Sequence, residues 1–116
     1  MDLNKLTILI HLTNRCKMKC SYCWTDFDEQ REYKEMSEET YSLMKEVLKT
    51  HSKRKSLDII ISGGEPTLYK NIQKVCEELS EYPLMLITNG IEKDVILSLP
   101  TTTKIRLSYH ANYDYD

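Results

Sequence analysis

The stretch LDIIISGGEP, residues 57–66, joins a short apolar run to a turn with two adjacent glycines. An apolar run of this length, Leu57–Ser62, is typical of a strand buried on both faces of a parallel sheet. Glycine has no Cβ, so it favours a tight turn in which the backbone approaches another group closely. The stretch therefore predicts a buried strand whose carboxyl end carries an unusual turn.

Three more apolar runs lie outward from this strand, and we predict strands at Leu6–Leu12, Leu84–Thr88 and Lys104–Tyr109. The first run is almost continuous, which predicts burial on both faces. Helical patterns lie between the runs. Their apolar positions are Tyr41, Met44, Val47, Leu48 and His51 after the N-cap Ser37, then Ile72, Val75, Cys76 and Leu79, then Val95, Ile96 and Leu99.

This alternation of strands and helices predicts an α/β fold built from parallel βαβ units. We expect one domain over residues 1–116, with four parallel strands and three flanking helices. In the last strand, Ile105, Leu107 and Tyr109 alternate with polar residues. Helices should cover that apolar face and leave the polar face, with Arg106, Ser108 and His110, toward the concave side.

Composition restricts the function classes. The chain is 41% hydrophobic and 29% charged, which is ordinary for a globular protein, and its net charge of −2 predicts neither a nucleic-acid nor an anionic-membrane partner. No apolar run approaches the roughly 18 residues of a membrane span. The start also lacks the basic region and cleavage site of a signal peptide. We therefore expect a cytoplasmic protein with free thiols.

Three cysteines crowd into CKMKCSYC, directly after the first predicted strand. The acidic stretch Asp26–Glu35 that follows is predicted to be a solvated loop, with a partner surface as the alternative. Cys16, Cys20 and Cys23 are close in sequence, whereas Cys76 lies far along the chain on an apolar helix face and is predicted to be buried packing. Structural zinc sites commonly use four ligands in two separated pairs. Three thiolates with no nearby fourth indicate metal or redox chemistry with one ligand position left open.

The unusual residues all follow strands. The cysteines come after the first strand, GGEP after the second, Thr88-Asn89-Gly90 after the third, and Ser108 and His110 end the fourth. In parallel α/β folds, sites form at the carboxyl ends of the strands. We therefore predict that these residues converge at one edge of the sheet. His11 and Ser62 are further polar residues at strand ends.

At these residues the sequence resembles the radical S-adenosylmethionine (SAM) superfamily. The resemblance rests on C-x3-C-x2-C after the first strand together with GGE after the second. The segments HLTNRCKMKCSYCW, ISGGEPTL and ITNG are especially similar to members that modify peptides or small metabolites. The resemblance extends over nearly the whole chain, roughly Leu6 to His110.

The resemblance implies a [4Fe–4S] cluster on Cys16, Cys20 and Cys23. Three thiolates leave one iron open, and in the family SAM chelates it through its amino and carboxylate groups. The reduced cluster then cleaves SAM to a 5′-deoxyadenosyl radical, which abstracts hydrogen from a substrate. The substrate would be a small molecule or peptide, the electron donor a protein such as flavodoxin or ferredoxin, and the enzyme an oxidoreductase or lyase.

The resemblance also implies roles for further residues. Tyr22 matches the position near adenine, and Gly63 and Gly64 would let the backbone approach the methionine end of SAM. Glu65 would accept a hydrogen bond from the SAM ammonium. Four more residues match positions that bind the cofactor: Thr88, Asn89, Ser108 and His110.

Family cores usually form a partial barrel of six βα units, so four strands predict a truncated partial barrel. The chain could be a fragment, or a minimal enzyme whose open strand-four edge is covered by a second copy or a partner. A noncatalytic iron–sulfur or SAM-binding module is the main alternative to an enzyme. A zinc site completed by His11, His51 or His110 is a further alternative, although zinc would not explain GGEP.

Overall fold

The computed structural model describes residues 4–15 and 34–108, and its regular elements alternate along the chain. They are β1 (Lys5–His11), α1 (Glu38–Ser52), β2 (Ser56–Ser62), a 3-10 turn (Pro66–Leu68), α2 (Ile72–Glu78), β3 (Leu84–Thr88), α3 (Lys93–Leu97) and β4 (Lys104–Leu107). Apart from the 3-10 turn, each element was predicted, with strand ends that differ by one or two residues. Tyr109, the predicted end of the fourth strand, lies outside the described residues.

The four strands form one parallel sheet in the order β1-β2-β3-β4. This confirms the predicted α/β architecture of four parallel strands and three helices. β1 pairs with β2 over its full length, from Lys5 opposite Ser56 to His11 opposite Ser62. Since all four strands are parallel, their carboxyl ends lie along one edge of the sheet.

The hydrophobic core lies on one face of the sheet. The alternating residues Leu57, Ile59 and Ile61 of β2 are buried there, and Leu84 and Leu86 of β3 continue the same layer. These side chains belong to one cluster with residues from the helices: Tyr41, Leu48, Ile72, Val75, Cys76 and Leu79. Burial of this apolar surface is the main force that holds the helices against the sheet.

Helix α1 begins as its sequence predicts. The Ser37 side chain accepts a hydrogen bond from the Thr40 backbone N–H at 3.1 Å, which satisfies one of the free donors of the first turn. The buried face is narrower than predicted: Tyr41 and Leu48 are buried, whereas Val47 and His51 are exposed. Only one stripe of the helix contacts the sheet, and these two residues lie outside it.

The two outer strands are less covered than predicted. β1 was expected to be buried on both faces, but Leu9 is 58% exposed because no described element lies over that face. The predicted helix cover of the apolar face of β4 is also wrong: Ile105 and Leu107 are 38% and 66% exposed. The neighbouring helix α3 has only five residues, and no described element follows β4 to cover this face.

Candidate functional site

The turn after β2 is bonded directly to the chain that leads into the cysteine segment. The backbone N–H of Glu65 donates to the carbonyl oxygen of Arg15 at 2.6 Å. Arg15 immediately precedes Cys16 in the chain. Two of the predicted site segments, GGE and the start of the cysteine loop, are therefore neighbours in space. The three cysteines and Tyr22 lie outside the described residues.

The two glycines of this turn are required by contacts within the chain. Gly63 and Gly64 have φ angles of +82° and +56°, in the left-handed region that glycine enters most easily. A Cβ on Gly64 would lie 2.6 Å from the carbonyl oxygen of Thr13 and 2.7 Å from that of Arg15. A Cβ on Gly63 would lie 2.5 Å from the imidazole ring of His11. Among the described residues, the glycines thus give room to the end of β1 and to the entry of the cysteine loop.

The two ends of the cysteine segment are held together by a short antiparallel pairing that the sequence did not reveal. Thr13 forms a bridge with Glu35, and Met36 N–H donates to the Leu12 carbonyl at 2.7 Å. Further bonds join Asn14 and Lys34, including Lys34 N–H to the Asn14 side-chain oxygen at 2.8 Å. The acidic stretch was predicted to be a solvated loop. Its last residue, Glu35, instead takes part in this pairing while remaining exposed.

Glu65 is the best-buried charged residue at this edge, with 3% of its surface exposed. Its Oε2 accepts hydrogen bonds from the hydroxyl of Thr88 at 2.6 Å, the N–H of Thr67 at 3.2 Å and the hydroxyl of Thr67. Its Oε1 accepts from the backbone N–H of Asn89 at 2.8 Å. The carboxylate thus joins the turn after β2 to the end of β3 through charge-assisted hydrogen bonds.

The turn after β3 is arranged around these bonds. The Thr88 hydroxyl, which donates to Glu65, accepts from the N–H of Gly90 at 3.2 Å. The side-chain oxygen of Asn89 accepts from the N–H of Ile91 at 3.1 Å, and Gly90 has φ +80°. Thr88 and Asn89 were predicted to contact the cofactor, and that stays a prediction. In the described structure their groups support Glu65 and the turn itself.

Sequence reasoning missed Thr67, which supplies two of the four donors to Glu65. The local signal was present: Glu65 is the N-cap of the 3-10 turn Pro66–Leu68, and a cap side chain commonly accepts from an N–H two or three residues later. The Glu65 side chain is therefore both the cap of this turn and the predicted ligand-binding carboxylate.

Ser108 is brought to the same edge, and its N–H donates to the Thr88 carbonyl at 2.8 Å. It lines a groove of about 460 Å³ between α3 and β4, together with Asn89, Gly90, Lys93, Ile96, Leu97 and Leu107. His110, its predicted companion, lies outside the described residues.

The predicted cluster ligands Cys16, Cys20 and Cys23 lie in the cysteine segment, and the alternative zinc site adds His11, His51 or His110. Across residues 4–15 and 34–108, no three His, Cys, Asp or Glu residues are placed to hold a metal ion. Cys76 is fully buried, as predicted, and burial raises the pKa of its thiol to about 11. A protonated thiol in an apolar core is a poor metal ligand, in agreement with the predicted packing role of Cys76.

A family model described as the Radical SAM superfamily matches residues 10–112. Among curated relatives, a PqqA peptide cyclase of Rhodopseudomonas palustris is 33% identical over 93 residues, which are 80% of this chain and 23% of that protein. A PqqA peptide cyclase of Bradyrhizobium diazoefficiens is 31% identical over the same shares.

A third relative carries the name "Probable GTP 3′,8-cyclase", from Methanocaldococcus jannaschii. It is 31% identical over 88 residues, which are 73% of this chain and 28% of that protein. The chain thus spans about a quarter of the length of the curated relatives it matches. The names of these relatives indicate different substrates, a peptide and a nucleotide. No helix in the described part of the chain is long and apolar enough to cross a membrane.

Proposed function

Since this chain belongs to the radical SAM superfamily, we propose that its carboxyl edge binds a [4Fe–4S] cluster and SAM for radical chemistry on a small molecule or peptide. Cys16, Cys20 and Cys23 would ligate the cluster. The observation that carries the proposal is the bond between Glu65 N–H and the Arg15 carbonyl, because it sets the GGE turn against the residue that precedes Cys16.

The described residues fit these groups. The Glu65 carboxylate accepts one hydrogen bond at Oε1 from the described chain, and a carboxylate oxygen has two acceptor positions. Among the described residues no second group donates to Oε1, and we assign this acceptor position to the ligand ammonium. The antiparallel pairing of Leu12 and Thr13 with Glu35 and Met36 anchors both ends of the cysteine segment at the same edge.

The proposed roles combine the placement of the described residues with the roles that the family resemblance implies for the others. When bound, the cluster and SAM supply the one-electron chemistry that generates an organic radical. The chain contributes three thiolates, a carboxylate fixed in orientation, and a turn in which Gly64 permits close backbone packing. Tyr22 would lie near adenine, and Ser108 and His110 would meet the ribose or carboxylate.

Iron loading tests the cluster. Anaerobic reconstitution with iron and sulfide should give about four irons per chain, as a single cubane cluster requires. Changing Cys16, Cys20 or Cys23 to Ala should abolish loading, because each removes one of three thiolates. Cys76→Ala is the matched control and should load normally. Stoichiometric zinc in protein isolated without oxygen, together with failed iron loading, would favour the zinc site instead.

Turnover is tested separately from binding. Reconstituted protein should form 5′-deoxyadenosine from SAM when a reductant is present, and we propose that flavodoxin or ferredoxin supplies the electron in the cell. A protein that loads iron and binds SAM but forms no 5′-deoxyadenosine would be a noncatalytic module. The timed assay should therefore be run with dithionite and with each protein donor on the same reconstituted sample.

A further inference from the structure

Two residues at the end of β3, Thr88 and Asn89, donate hydrogen bonds to the two oxygens of the Glu65 carboxylate. The Thr88 hydroxyl donates to Oε2 at 2.6 Å, and the Asn89 N–H donates to Oε1 at 2.8 Å. Donors on both oxygens define the plane of the carboxylate, and Thr67 in the turn after β2 supplies two further bonds to Oε2. Thr88 and Asn89 are the donors from outside this turn, so they hold the carboxylate in place relative to the end of β3.

The proton of the Thr88 hydroxyl has a defined target. The hydroxyl oxygen already accepts from the Gly90 N–H at 3.2 Å, so its single hydrogen is available for donation. Thr88 is 1% exposed, and the carboxylate of Glu65 is the acceptor for its hydroxyl among the described residues. At this burial the hydroxyl is covered by protein and not open to solvent.

We propose that Thr88 is a positioning residue for SAM binding, which acts through Glu65 in place of the direct cofactor contact predicted from its sequence. The proposal rests on the proposed function, since it assigns the oriented carboxylate to the SAM ammonium. Loss of the Thr88 hydroxyl would leave Oε2 with its two bonds from Thr67 alone. Thr67 lies in the same turn as Glu65, so the carboxylate would lose one of its two bonds to the end of β3.

The test compares Thr88 variants that keep or lose the side-chain hydroxyl. Thr88→Val removes the hydroxyl at nearly constant volume, and Thr88→Ser keeps the hydroxyl. Thr103→Val makes the same change at a buried threonine in the turn before β4. SAM dissociation constants are measured by calorimetry on reconstituted protein with an oxidised cluster, so that no turnover is needed.

We expect Thr88→Val to weaken SAM binding by up to about tenfold, because SAM would have to order a carboxylate that has lost one bond to the end of β3, and the energy of that bond to a charged group is the upper limit of the cost. Thr88→Ser and Thr103→Val should stay close to the unaltered protein, and all should load equal iron. Should Thr88→Val not fold, Thr88→Ala removes the same hydroxyl with less bulk and should show the same loss relative to Thr88→Ser.

A double-mutant cycle with Glu65→Ala separates orientation from general damage. If Thr88 acts through Glu65, adding Thr88→Val to Glu65→Ala should change SAM affinity little further. Additive losses, or a Thr88→Val variant that binds SAM as the unaltered protein does, would overturn this inference and leave the proposed function standing. Failure of the unaltered protein to bind SAM would overturn both.

Discussion

At the scale of single residues, Gly64 and Gly90 allow backbone strain to be separated from the steric contacts of an added Cβ. Both have positive φ angles, so alanine is strained at either position. They differ in what a Cβ would meet. At Gly64 it meets backbone atoms at 2.6–2.8 Å, whereas at Gly90 the nearest atom is the end of the Leu107 side chain at 3.1 Å.

We therefore expect Gly64→Ala to reduce iron loading strongly and Gly90→Ala to reduce it little. The Leu107 side chain can rotate away from a new methyl group, but the backbone of residues 13–15 can move only by shifting the entry to the cysteine segment. Both variants should lose about 1–2 kcal/mol of stability from φ strain. Iron content of the two variants measures the loading, and urea unfolding measures their stability. Equal iron loading of Gly64→Ala and Gly90→Ala would contradict the expectation.

Glu65 should stabilise the fold even without a ligand. Two obligate donors, the backbone N–H groups of Asn89 and Thr67, point at different oxygens of its carboxylate. A glutamine offers one oxygen and one NH₂ group, so either orientation sets a donor against a donor. Glu65→Gln should therefore lower the free energy of unfolding by about 1–3 kcal/mol in cluster-free protein.

Urea unfolding by circular dichroism measures this change. Glu46→Gln, at an exposed position of α1, is the control and should stay within about 0.5 kcal/mol of the unaltered protein. Unchanged stability of Glu65→Gln would mean that the four bonds to Glu65 do not form in solution. Any change in the SAM affinity of Glu65→Gln would then come from its contacts with SAM and not from a change in the fold.

At the scale of elements, α1 illustrates how far local signals reach. Its N-cap, its acidic first turn and two of its buried residues followed from the sequence, because caps and helical spacing are local properties. The exposure of Val47 did not follow, since the width of the buried stripe depends on how the helix lies on the sheet.

The cap itself is open to test. Ser37→Ala should lower the free energy of unfolding by about 0.5–2 kcal/mol, because the Thr40 N–H loses its acceptor. Ser42→Ala, on the exposed side of the same helix, should be neutral or slightly stabilising, as alanine is the better helix former. Thermal unfolding of the two variants gives the comparison, and equal losses would mean that the cap bond contributes nothing.

At the scale of the whole molecule, the strand-four side of the sheet carries exposed apolar surface. Leu97 is 82% exposed and Leu107 66% exposed, and both line the same groove. Exposed apolar patches and sheet edges favour association. Water entry at an open edge should also leave radical chemistry poorly coupled, because closed sites protect reactive intermediates.

We expect the isolated chain to self-associate along this side, or else to cleave SAM slowly without selective substrate modification. Light scattering should show Leu97→Glu to be less associated than the unaltered protein. Leu43→Glu, at an exposed leucine on α1, should have no such effect. A strictly monomeric protein that couples SAM cleavage tightly to one product would contradict this prediction.

The elements, the parallel direction of the strands and the edge that carries the candidate site all follow from the amino-acid sequence. Apolar runs identify strands, helical spacing identifies helices, and the alternation of the two aligns the carboxyl ends of the strands. GGE and C-x3-C-x2-C therefore point to one edge and one family through their positions in the chain. Burial of Cys76 follows in the same way from its place on an apolar helix face.

The bonds that hold this edge together depend instead on tertiary structure. Glu65 is bonded to Thr88 and Asn89, 23 and 24 residues away, and Thr13 to Glu35 across the cysteine segment. Such bonds depend on strand register and on the approach of separate turns, which leave no local pattern in the sequence. The exposure of Leu107 has the same origin, because burial is decided by what packs over a residue and not by its own hydrophobicity.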